Sequence, residues 1–341
     1  MNPVILLVDV LSAERESWKT FLKSQKYDVL TADSAESAWL LCQREQPDLV
    51  LLHDHLPQVR GPELCRRLKQ DPLNQVTTVV LICPEPTPSE SLEAREAGAA
   101  NFWGTPSSPV EGLGHIESLL RLKSYIDEQA KSVILSVAIS VEAKHSRTDG
   151  HSHRLAEYAM QLGESLGLSE DDLQELRLGC LLHDIGKVAV PDNILLKPGR
   201  LNPEETKIVR QHPVTGEKIC APLKCLRPIL PVIRHHHERM DGSGYPDGLS
   251  GEEIPLKARI LQVADVYDAL TSDRPYREAL SSEEALEILR QEARCRWLDA
   301  SLVWKFSGLC QSADYVQVSG HSMLASYYAS GSQSSQPRGG L

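Results

Sequence analysis

The sequence predicts a multidomain protein, with a doubly wound α/β domain in the first third of the chain and a metal-binding region after it. Two observations carry this prediction. Continuous apolar runs alternate with amphipathic segments over the first third, whereas eight of the twelve histidines lie between His145 and His237. The chain has 341 residues, of which 41% are hydrophobic, and this is enough to bury two cores.

The apolar runs predict parallel strands that are covered on both faces, and they occupy residues 4–8, 48–52 and 78–82. The amphipathic segments predict helices over residues 13–24, 34–45 and 62–70. Ser34 with Ser37 marks a helix start. Strands that alternate with helices predict a doubly wound sheet.

The histidine-rich region contains imidazoles and carboxylates that suit a pair of divalent metals: His151, His183, Asp184, His212, His236, His237 and Asp265. A mixture of imidazole and carboxylate favours Fe, Mn or Zn over Mg or Ca, which prefer oxygen ligands. Two adjacent metals can clamp the attacking and leaving oxygens of a phosphoryl displacement and supply hydroxide at neutral pH. We therefore predict a metal-dependent phosphohydrolase.

Each of these residues also has a purely structural interpretation. A single buried histidine is usually a hydrogen-bonded core residue, and the run from His235 to His237 could be a solvated helix end. Asp265 is harder to explain in this way, because it lies in an apolar helical run and an unpartnered buried carboxylate is unfavourable. Taken together, the set favours a metal site.

Five motifs follow one another along the chain: residues 150–152 (GHS), 182–187 (LHDIGK), 211–213 (QHP), 236–246 (HHERMDGSGYP) and 263–277 (VADVYDALTSDRPYR). Their order resembles the HD-GYP domain, a branch of the HD metal-dependent phosphohydrolases that cleaves the bacterial messenger cyclic di-GMP. The resemblance runs from about residue 132 to residue 309. It implies an all-helical domain over residues 132–310 and hydrolysis to pGpG, with further hydrolysis to GMP left open.

The resemblance also implies how the metals are held. Asp184 would bridge two divalent metals, with one completed by His151, His183 and Asp265 and the other by His212, His236 and His237. Fe or Mn is expected, with Zn or Ni as alternatives. Family members thought to bind a third metal carry a carboxylate where this chain has Arg147, so two metals are favoured. The family's usual acidic-Pro-Tyr run before Gly-His is replaced here by residues 145–149 (HSRTD). This replacement concerns the substrate entrance rather than the metal ligands.

Further residues would contact the substrate. Lys187 follows His183 at the spacing of one helical turn. The resemblance places Lys187 at the scissile phosphate, where it would stabilise developing charge. Gly244 and Tyr245 belong to the signature loop beside the substrate. Arg274 and Arg277 resemble the family's substrate-contacting cations, since arginine suits phosphate and guanine edges. A plain salt bridge explains Arg277 nearly as well.

The N-terminal elements resemble a response-regulator receiver domain, which is flavodoxin-like, over residues 3–120. The phosphorylation chemistry of a receiver is missing, because its positions are occupied by other residues: His53 at the phosphoacceptor, Asp9-Val10 at the acidic pair, Cys83 at the hydroxyl and Thr105 at the lysine. Asp54 follows the acceptor position, but one step along a strand turns a side chain to the opposite face. We predict a pseudo-receiver over residues 1–120 that serves interaction with a signalling partner.

Composition excludes several classes of protein. The net charge of −11 argues against nonspecific nucleic-acid binding, which needs lysine and arginine against phosphates. No apolar run approaches eighteen residues, so no membrane span is expected. The eight cysteines lack CxxC spacing, and Cys42, Cys83 and Cys180 have apolar neighbours, which indicates reduced thiols and a cytoplasmic location.

The remaining segments connect or follow the domains. Apolar residues recur at helical spacing through a linker at residues 121–131, where a second subunit could pair as a coiled coil to give a homodimer. Residues 311–341 are rich in Ser, Gly and Gln, which predicts a disordered tail. Two alternatives to a cyclic di-GMP phosphodiesterase stay open. One is a phosphodiesterase for another cyclic dinucleotide or a nucleotidase, and the other is a weakly active scaffold.

Overall fold

The structure, a computed structural model of the chain, describes residues 2–9, 12–85, 87–104, 109–145, 150–273 and 278–311. These residues form two compact units. The first contains the described residues up to Ser136 together with Lys218–Pro228. The second contains Val137–Glu217 and the described residues from Ile229 onward.

The first unit is built on a five-stranded parallel sheet with the order β2-β1-β3-β4-β5. Its strands are β1 (Val4–Val8), β2 (Asp28–Ala32), β3 (Leu49–His53), β4 (Thr78–Cys83) and β5 (Asn101–Gly104). The three central strands are the predicted apolar runs, and their residues are mostly buried because helices cover both faces. The doubly wound sheet is therefore confirmed. The edge strands β2 and β5 were not among the strands that the apolar runs predicted.

Helices alternate with these strands: α1 (Ser12–Ser24), α2 (Ala35–Glu45), α3 (Gly61–Gln70), α4 (Pro88–Glu96) and α5 (Pro109–His145). The predicted start of α2 is confirmed, since the Ser34 hydroxyl accepts a hydrogen bond from the backbone N–H of Ser37 at 3.3 Å. The helix α4 was not predicted. A single helix, α5, runs through the predicted linker at residues 121–131.

The second unit is helical, as the resemblance implied. Its helices are α6 (His151–Ser165), α7 (Glu170–Leu182), α8 (Asp192–Leu195), α9 (Pro203–Val209), α10 (His212–Cys220), α11 (Leu230–His235), α12 (Leu256–Thr271), α13 (Ser282–Arg294) and α14 (Ala300–Cys310). The helix α10 ends just inside the first unit. Short 3₁₀ segments span Ile185–Ala189 and Gly251–Glu253 in this unit, whereas a third, Lys224–Ile229, belongs to the first unit as far as Pro228.

The core of the second unit fixes α6 against α12. Tyr158 on α6 packs edge-to-face against Tyr267 on α12, with ring centroids 5.2 Å apart, and Phe306 of α14 contacts both rings. Leucines such as Leu155 and Leu261 fill the space around them. This packing holds the first residue of α6 beside the later turns of α12.

Two further expectations concern membrane spans and residues outside the described ranges. Across the described ranges, no helix has both the length and the apolar character needed to cross a bilayer. Arg274, Arg277 and residues 312–341, where a tail was predicted, lie outside the described residues.

Candidate metal centre

A first cluster of possible metal ligands forms where three helices meet. His151 begins α6, His183 follows the last residue of α7, and Asp265 lies in α12. Each offers a ligand atom within 4.8 Å of the other two. The Nε2 atom of His151 lies 3.5 Å from Oδ1 of Asp265. The structure thus brings together one of the two predicted ligand sets.

A second cluster consists of Asp184, His212, His236 and His237, whose ligand atoms also lie within 4.8 Å of one another. His212 begins α10, and the two adjacent histidines follow the end of α11. His212 and His236 are buried, at 1% and 2% exposure, so the run from His235 to His237 is not a solvated helix end. The second predicted ligand set is therefore also assembled.

Asp184 joins the two clusters through different oxygens. Its Oδ2 lies 3.3 Å from Nε2 of His183, in the first cluster. Its Oδ1 lies 3.2 Å from Nε2 of His212 and 4.0 Å from Nε2 of His236, in the second cluster. One carboxylate thus faces both sets of histidines, with a different oxygen toward each set.

The tautomers of three histidines follow from their backbone partners. Nδ1 of His183, His212 and His236 each lies 2.7 or 2.8 Å from the carbonyl oxygen of the residue three positions earlier. A carbonyl can only accept a hydrogen bond, so Nδ1 donates the proton. In the neutral imidazole, Nε2 then carries no proton, and its lone pair points into the centre.

This arrangement fits a cation. Nε2 of His212 and Nε2 of His236 lie only 3.2 Å apart, so two lone pairs face each other. Oδ1 of Asp184 is buried and has no hydrogen-bond donor among the described residues. Burial, together with the neighbouring imidazoles, holds the pKa of His236 and His237 well below the usual value, which favours neutral ligands. The donor set therefore suits a divalent metal.

The charge around His183 supports the same conclusion. Burial lowers the pKa of this imidazole, but the carboxylates of Asp184 and Asp265 outweigh that effect and raise the pKa to about 9. The two carboxylates thus attract positive charge at Nε2. A bound metal would satisfy that attraction in place of a proton.

Asp268, which was not predicted, orients the first cluster. Its buried carboxylate accepts a hydrogen bond from Nδ1 of His151 at 2.6 Å and another from Nε of Arg154 at 2.7 Å. The contact leaves Nε2 of His151 free for a metal. A signal was present in the sequence, because Asp268 lies three residues after Asp265 and therefore on the same face of α12.

We predict that Asp268→Asn weakens Mn(II) binding by about 10–100-fold, as loss of a carboxylate partner to a ligating histidine usually does. Asp273→Asn is the matched control, because Asp273 lines the same cavity but lies outside both clusters. Equilibrium titration with Mn(II) measures the difference, and circular dichroism checks folding. Equal affinity in the two variants would show that Asp268 has no influence on the metals.

Lys187 lies in the 3₁₀ segment Ile185–Ala189 rather than one turn further along α7, which ends at Leu182. Its ammonium donates a hydrogen bond to Oδ2 of Asp184, so the predicted phosphate-binding cation is already at the metal centre. Gly186 makes this path possible. A Cβ at that position would overlap the backbone carbonyl of His212, so only glycine lets the two segments approach.

The predicted substrate loop packs directly on the second cluster. The Tyr245 ring stacks on the His237 imidazole with centroids 4.8 Å apart, and the Arg210 guanidinium lies 4.9 Å from the centre of the tyrosine ring. A Cβ on Gly244 would overlap the backbone of Arg239, so this glycine is needed for packing. The structure places the loop at the centre, and Arg210 is an addition to the predicted residues.

Glu238 fixes the other side of this loop and was not predicted. Its carboxylate, at 2% exposure, accepts hydrogen bonds from the backbone N–H groups of Asp247, Gly248 and Leu249 at 2.7 to 3.2 Å. Three donors offset the desolvation of this buried charge. Glu238 thereby holds the chain just after the GYP sequence in place.

A cavity of about 1320 Å³ opens onto the centre. Its wall includes His151, His183, Asp184, His237 and Asp265. Cationic residues also line it: Lys144, Lys187, Lys197 and Arg200. Further carboxylates line it as well: Glu142, Asp268 and Asp273. The volume exceeds the 300–1,000 Å³ or so of a typical small-molecule pocket, and the cations together with metal ions at the two clusters would suit an anionic ligand.

Comparisons with known proteins agree with this chemistry. Residues 136–302 match the HD domain family, and residues 5–116 match the response regulator receiver domain. The chain is 34% identical over 271 residues to the cyclic di-GMP phosphodiesterase response regulator RpfG of Xanthomonas campestris. The alignment covers 73% of this chain and 72% of the relative.

Two other relatives carry similar names. A cyclic di-GMP phosphodiesterase of Thermotoga maritima is 31% identical over 314 residues, with 82% of this chain and 83% of the relative covered. The 3'3'-cGAMP-specific phosphodiesterase 1 of Vibrio cholerae is 39% identical over 175 residues, with 51% of this chain and 41% of the relative covered. The similarity to the first of these spans most of both proteins.

Proposed function

Because the chain belongs to the HD-GYP family of receiver-linked cyclic-dinucleotide phosphodiesterases, we propose that it hydrolyses cyclic di-GMP to linear pGpG, and that GMP forms only by a second hydrolysis. The protein is a metal-dependent cyclic-dinucleotide phosphodiesterase. Its role would lie in bacterial second-messenger signalling.

The observation that carries the proposal is the position of Asp184 between the two clusters, with one oxygen toward each. Asp184 would bridge two metals, and the two ligand sets would be those of the clusters, with His151, His183 and Asp265 on one side and His212, His236 and His237 on the other. Fe or Mn, with Zn or Ni as alternatives, would supply a water of lowered pKa and neutralise phosphate charge.

The side chains around the centre would bind and orient the substrate. Lys187 reaches the cavity and would donate to a phosphate oxygen as negative charge develops there. Burial raises the pKa of the Tyr245 phenol, which keeps it a neutral hydrogen-bond donor beside the substrate. Gly244 would let the loop approach closely. Arg274 and Arg277 would add cations for phosphate or guanine.

A second candidate substrate is 3'3'-cGAMP. The observation in its favour is that 38–39% identity connects residues of this chain to cGAMP-specific phosphodiesterases of Vibrio cholerae. Those alignments cover only about half of this chain. The alignments with the cyclic di-GMP phosphodiesterases of Xanthomonas campestris and Thermotoga maritima cover 73% and 82% of the chain, receiver domain included, and this shared domain arrangement is the ground for placing cyclic di-GMP first.

A substrate panel distinguishes these candidates. The full-length protein, loaded with Mn(II) or with Fe(II) under exclusion of oxygen, is given cyclic di-GMP, 3'3'-cGAMP or cyclic di-AMP, and the products are separated by chromatography. The highest kcat/KM should belong to cyclic di-GMP with pGpG as the first product. A higher value for 3'3'-cGAMP would make it the substrate, and no turnover of any of them would favour a scaffold.

The receiver domain has a different task in this proposal. His53 ends β3 and Cys83 ends β4, so neither strand presents the carboxylate or hydroxyl that phosphoryl transfer requires. Thr105, at the lysine position, lies outside the described residues. We infer that the domain acts through a signalling partner rather than through an aspartyl phosphate.

Acetyl phosphate with Mg²⁺ should therefore leave the mass of the protein and its phosphodiesterase rate unchanged. The reason is that His53, Cys83 and Thr105 replace the groups that accept and grip the phosphoryl group. Intact-mass spectrometry and the turnover assay measure the two outcomes, with a phosphorylatable receiver protein as the positive control. A phosphorylated aspartate in residues 1–120 that changes the rate would overturn the inference.

We also propose that α5 pairs with a second copy of the chain. Leu122, Ile126 and Val133 are more than half exposed and recur at spacings of four and seven residues, as the seam of a coiled coil does. Ile126→Glu should shift the protein from dimer to monomer in light scattering, whereas Ser124→Glu, at an exposed position on the opposite face of α5, should not. A monomeric wild-type protein would contradict this pairing.

A further inference from the structure

Three side chains with different ligand atoms meet at the carboxyl edge of the sheet in the first unit. Asp54 and His55 directly follow β3, and Cys83 is the last residue of β4. The strands are parallel, and the Asp54 N–H donates to the carbonyl oxygen of Ile82 at 2.8 Å, so both strands end at the same edge. A carboxylate oxygen, an imidazole nitrogen and the sulfur lie within 4.8 Å of one another.

The carboxylate in this group is incompletely satisfied. Asp54 is fully buried at 0% exposure, and its Oδ1 has no hydrogen-bond partner among the described residues. Oδ2 accepts a hydrogen bond from Nη2 of Arg60 at 3.2 Å and lies 3.4 Å from Nδ1 of His55. A buried carboxylate oxygen without a donor is unfavourable, and a cation would remove that penalty.

We propose that Asp54, His55 and Cys83 bind one divalent transition-metal ion of the zinc class, with water as a fourth ligand. Carboxylate, imidazole and thiolate are the ligands that zinc prefers. Bonds of about 2.0–2.3 Å place atoms on the same ion at most about 4.6 Å apart, so small side-chain rotations suffice.

The surroundings allow the ion to enter and to stay. The His55 side chain is 66% exposed, which leaves a path from solvent, whereas Asp54 and Cys83 are buried behind it. The backbone N–H of His55 donates to Nδ1 of His53 at 3.2 Å, which fixes the chain between the ligands. Cys83 would bind as a thiolate, so binding releases its proton to solvent.

This site is independent of the proposed phosphodiesterase centre, and its sulfur makes it separately observable. The two clusters of that centre offer only imidazole and carboxylate ligands. A thiolate-to-metal charge-transfer band with Co(II), which substitutes for zinc, therefore reports a cysteine ligand even when other cobalt ions are bound.

The experiment titrates the full-length protein with Co(II) and follows that band. We expect the band to reach the intensity of one thiolate-bound Co(II) per chain once all cobalt sites are filled, to disappear in Cys83→Ser, and to vanish when Zn(II) is added. His55→Ala should weaken Co(II) binding at this band by at least about tenfold, since loss of a direct ligand exceeds the loss of a supporting contact. His115→Ala, which removes an exposed histidine of the same unit, should leave the band unchanged.

Two results would overturn the proposal. One is a wild-type protein without the band, and the other is a band that survives in Cys83→Ser or is unaffected in His55→Ala. Because His55 is exposed, the second variant should fold even if Cys83→Ser does not, so it decides the matter alone. Neither result bears on phosphodiesterase turnover.

Discussion

Asp184→Ala should release both metals and lower kcat by about a thousandfold or more. Its two oxygens face different clusters, so no other single carboxylate among the described residues serves both sets of ligands. Metal ions contribute several kcal/mol to phosphoryl transfer, and each loss of about 1.4 kcal/mol is a factor of ten in rate. Elemental analysis of the purified variant, beside its turnover, measures both effects.

Asp273→Ala is the control for this variant. It removes one negative charge from the same cavity, but Asp273 belongs to neither cluster. Both metals should stay in the control protein. If Asp184→Ala also retained two metals per chain, the bridging role would be wrong even if its turnover were low.

Lys187→Ala should retain both metals and lose about 100–1000-fold in kcat, which is the usual effect of removing one charge-stabilising donor. Lys187 donates to Asp184 from outside the two ligand sets, so its removal leaves every proposed ligand in place. An interaction made mainly in the transition state lowers kcat and kcat/KM together. Steady-state kinetics with parallel metal analysis gives the answer.

Lys197→Ala provides the comparison, because Lys197 lines the same cavity but is paired with Glu205 at 2.7 Å. Most of the turnover should remain in the Lys197→Ala variant. Wild-type turnover in Lys187→Ala would reduce Lys187 to a structural partner of Asp184. Loss of metal in that variant would instead make it a support for the bridging carboxylate.

The sequence predicted the centre of the sheet better than its edges. β1, β3 and β4 are covered on both faces, so burial requires the continuous apolar runs that identified them. β2 and β5 lie at the edges, and most of their residues are only half-buried. Their mixed composition resembles that of a loop, so only pairing with a neighbouring strand defines them.

The residues of the two clusters could be predicted to lie together because metal chemistry restricts residue type at each position. Asp268 and Glu238 were not, since they act through other residues: one holds the His151 imidazole, and the other holds backbone N–H groups of a loop. A carboxylate in either role looks like any other in the sequence. Its function depends on which helix or loop packs against it, which is a long-range property of the fold.

Lys187 shows the same limit within a single motif. Its spacing from His183 suggested one continued helical turn, but α7 ends at Leu182 and the chain enters a 3₁₀ segment. That change depends on the close approach of Gly186 to the backbone of His212, which lies 26 residues later in the chain. Residue spacing within the motif cannot indicate a contact with a residue so far along the chain.

Stepwise metal titration of activity tests the central claim most directly. Metal-free full-length protein receives Mn(II) in increments under exclusion of oxygen, and conversion of cyclic di-GMP to pGpG is followed at each increment. Turnover should be absent without metal, and it should reach a plateau at two Mn(II) bound to the two clusters of each chain. Full turnover in the metal-free protein, or none on any cyclic dinucleotide with both metals bound, would contradict it.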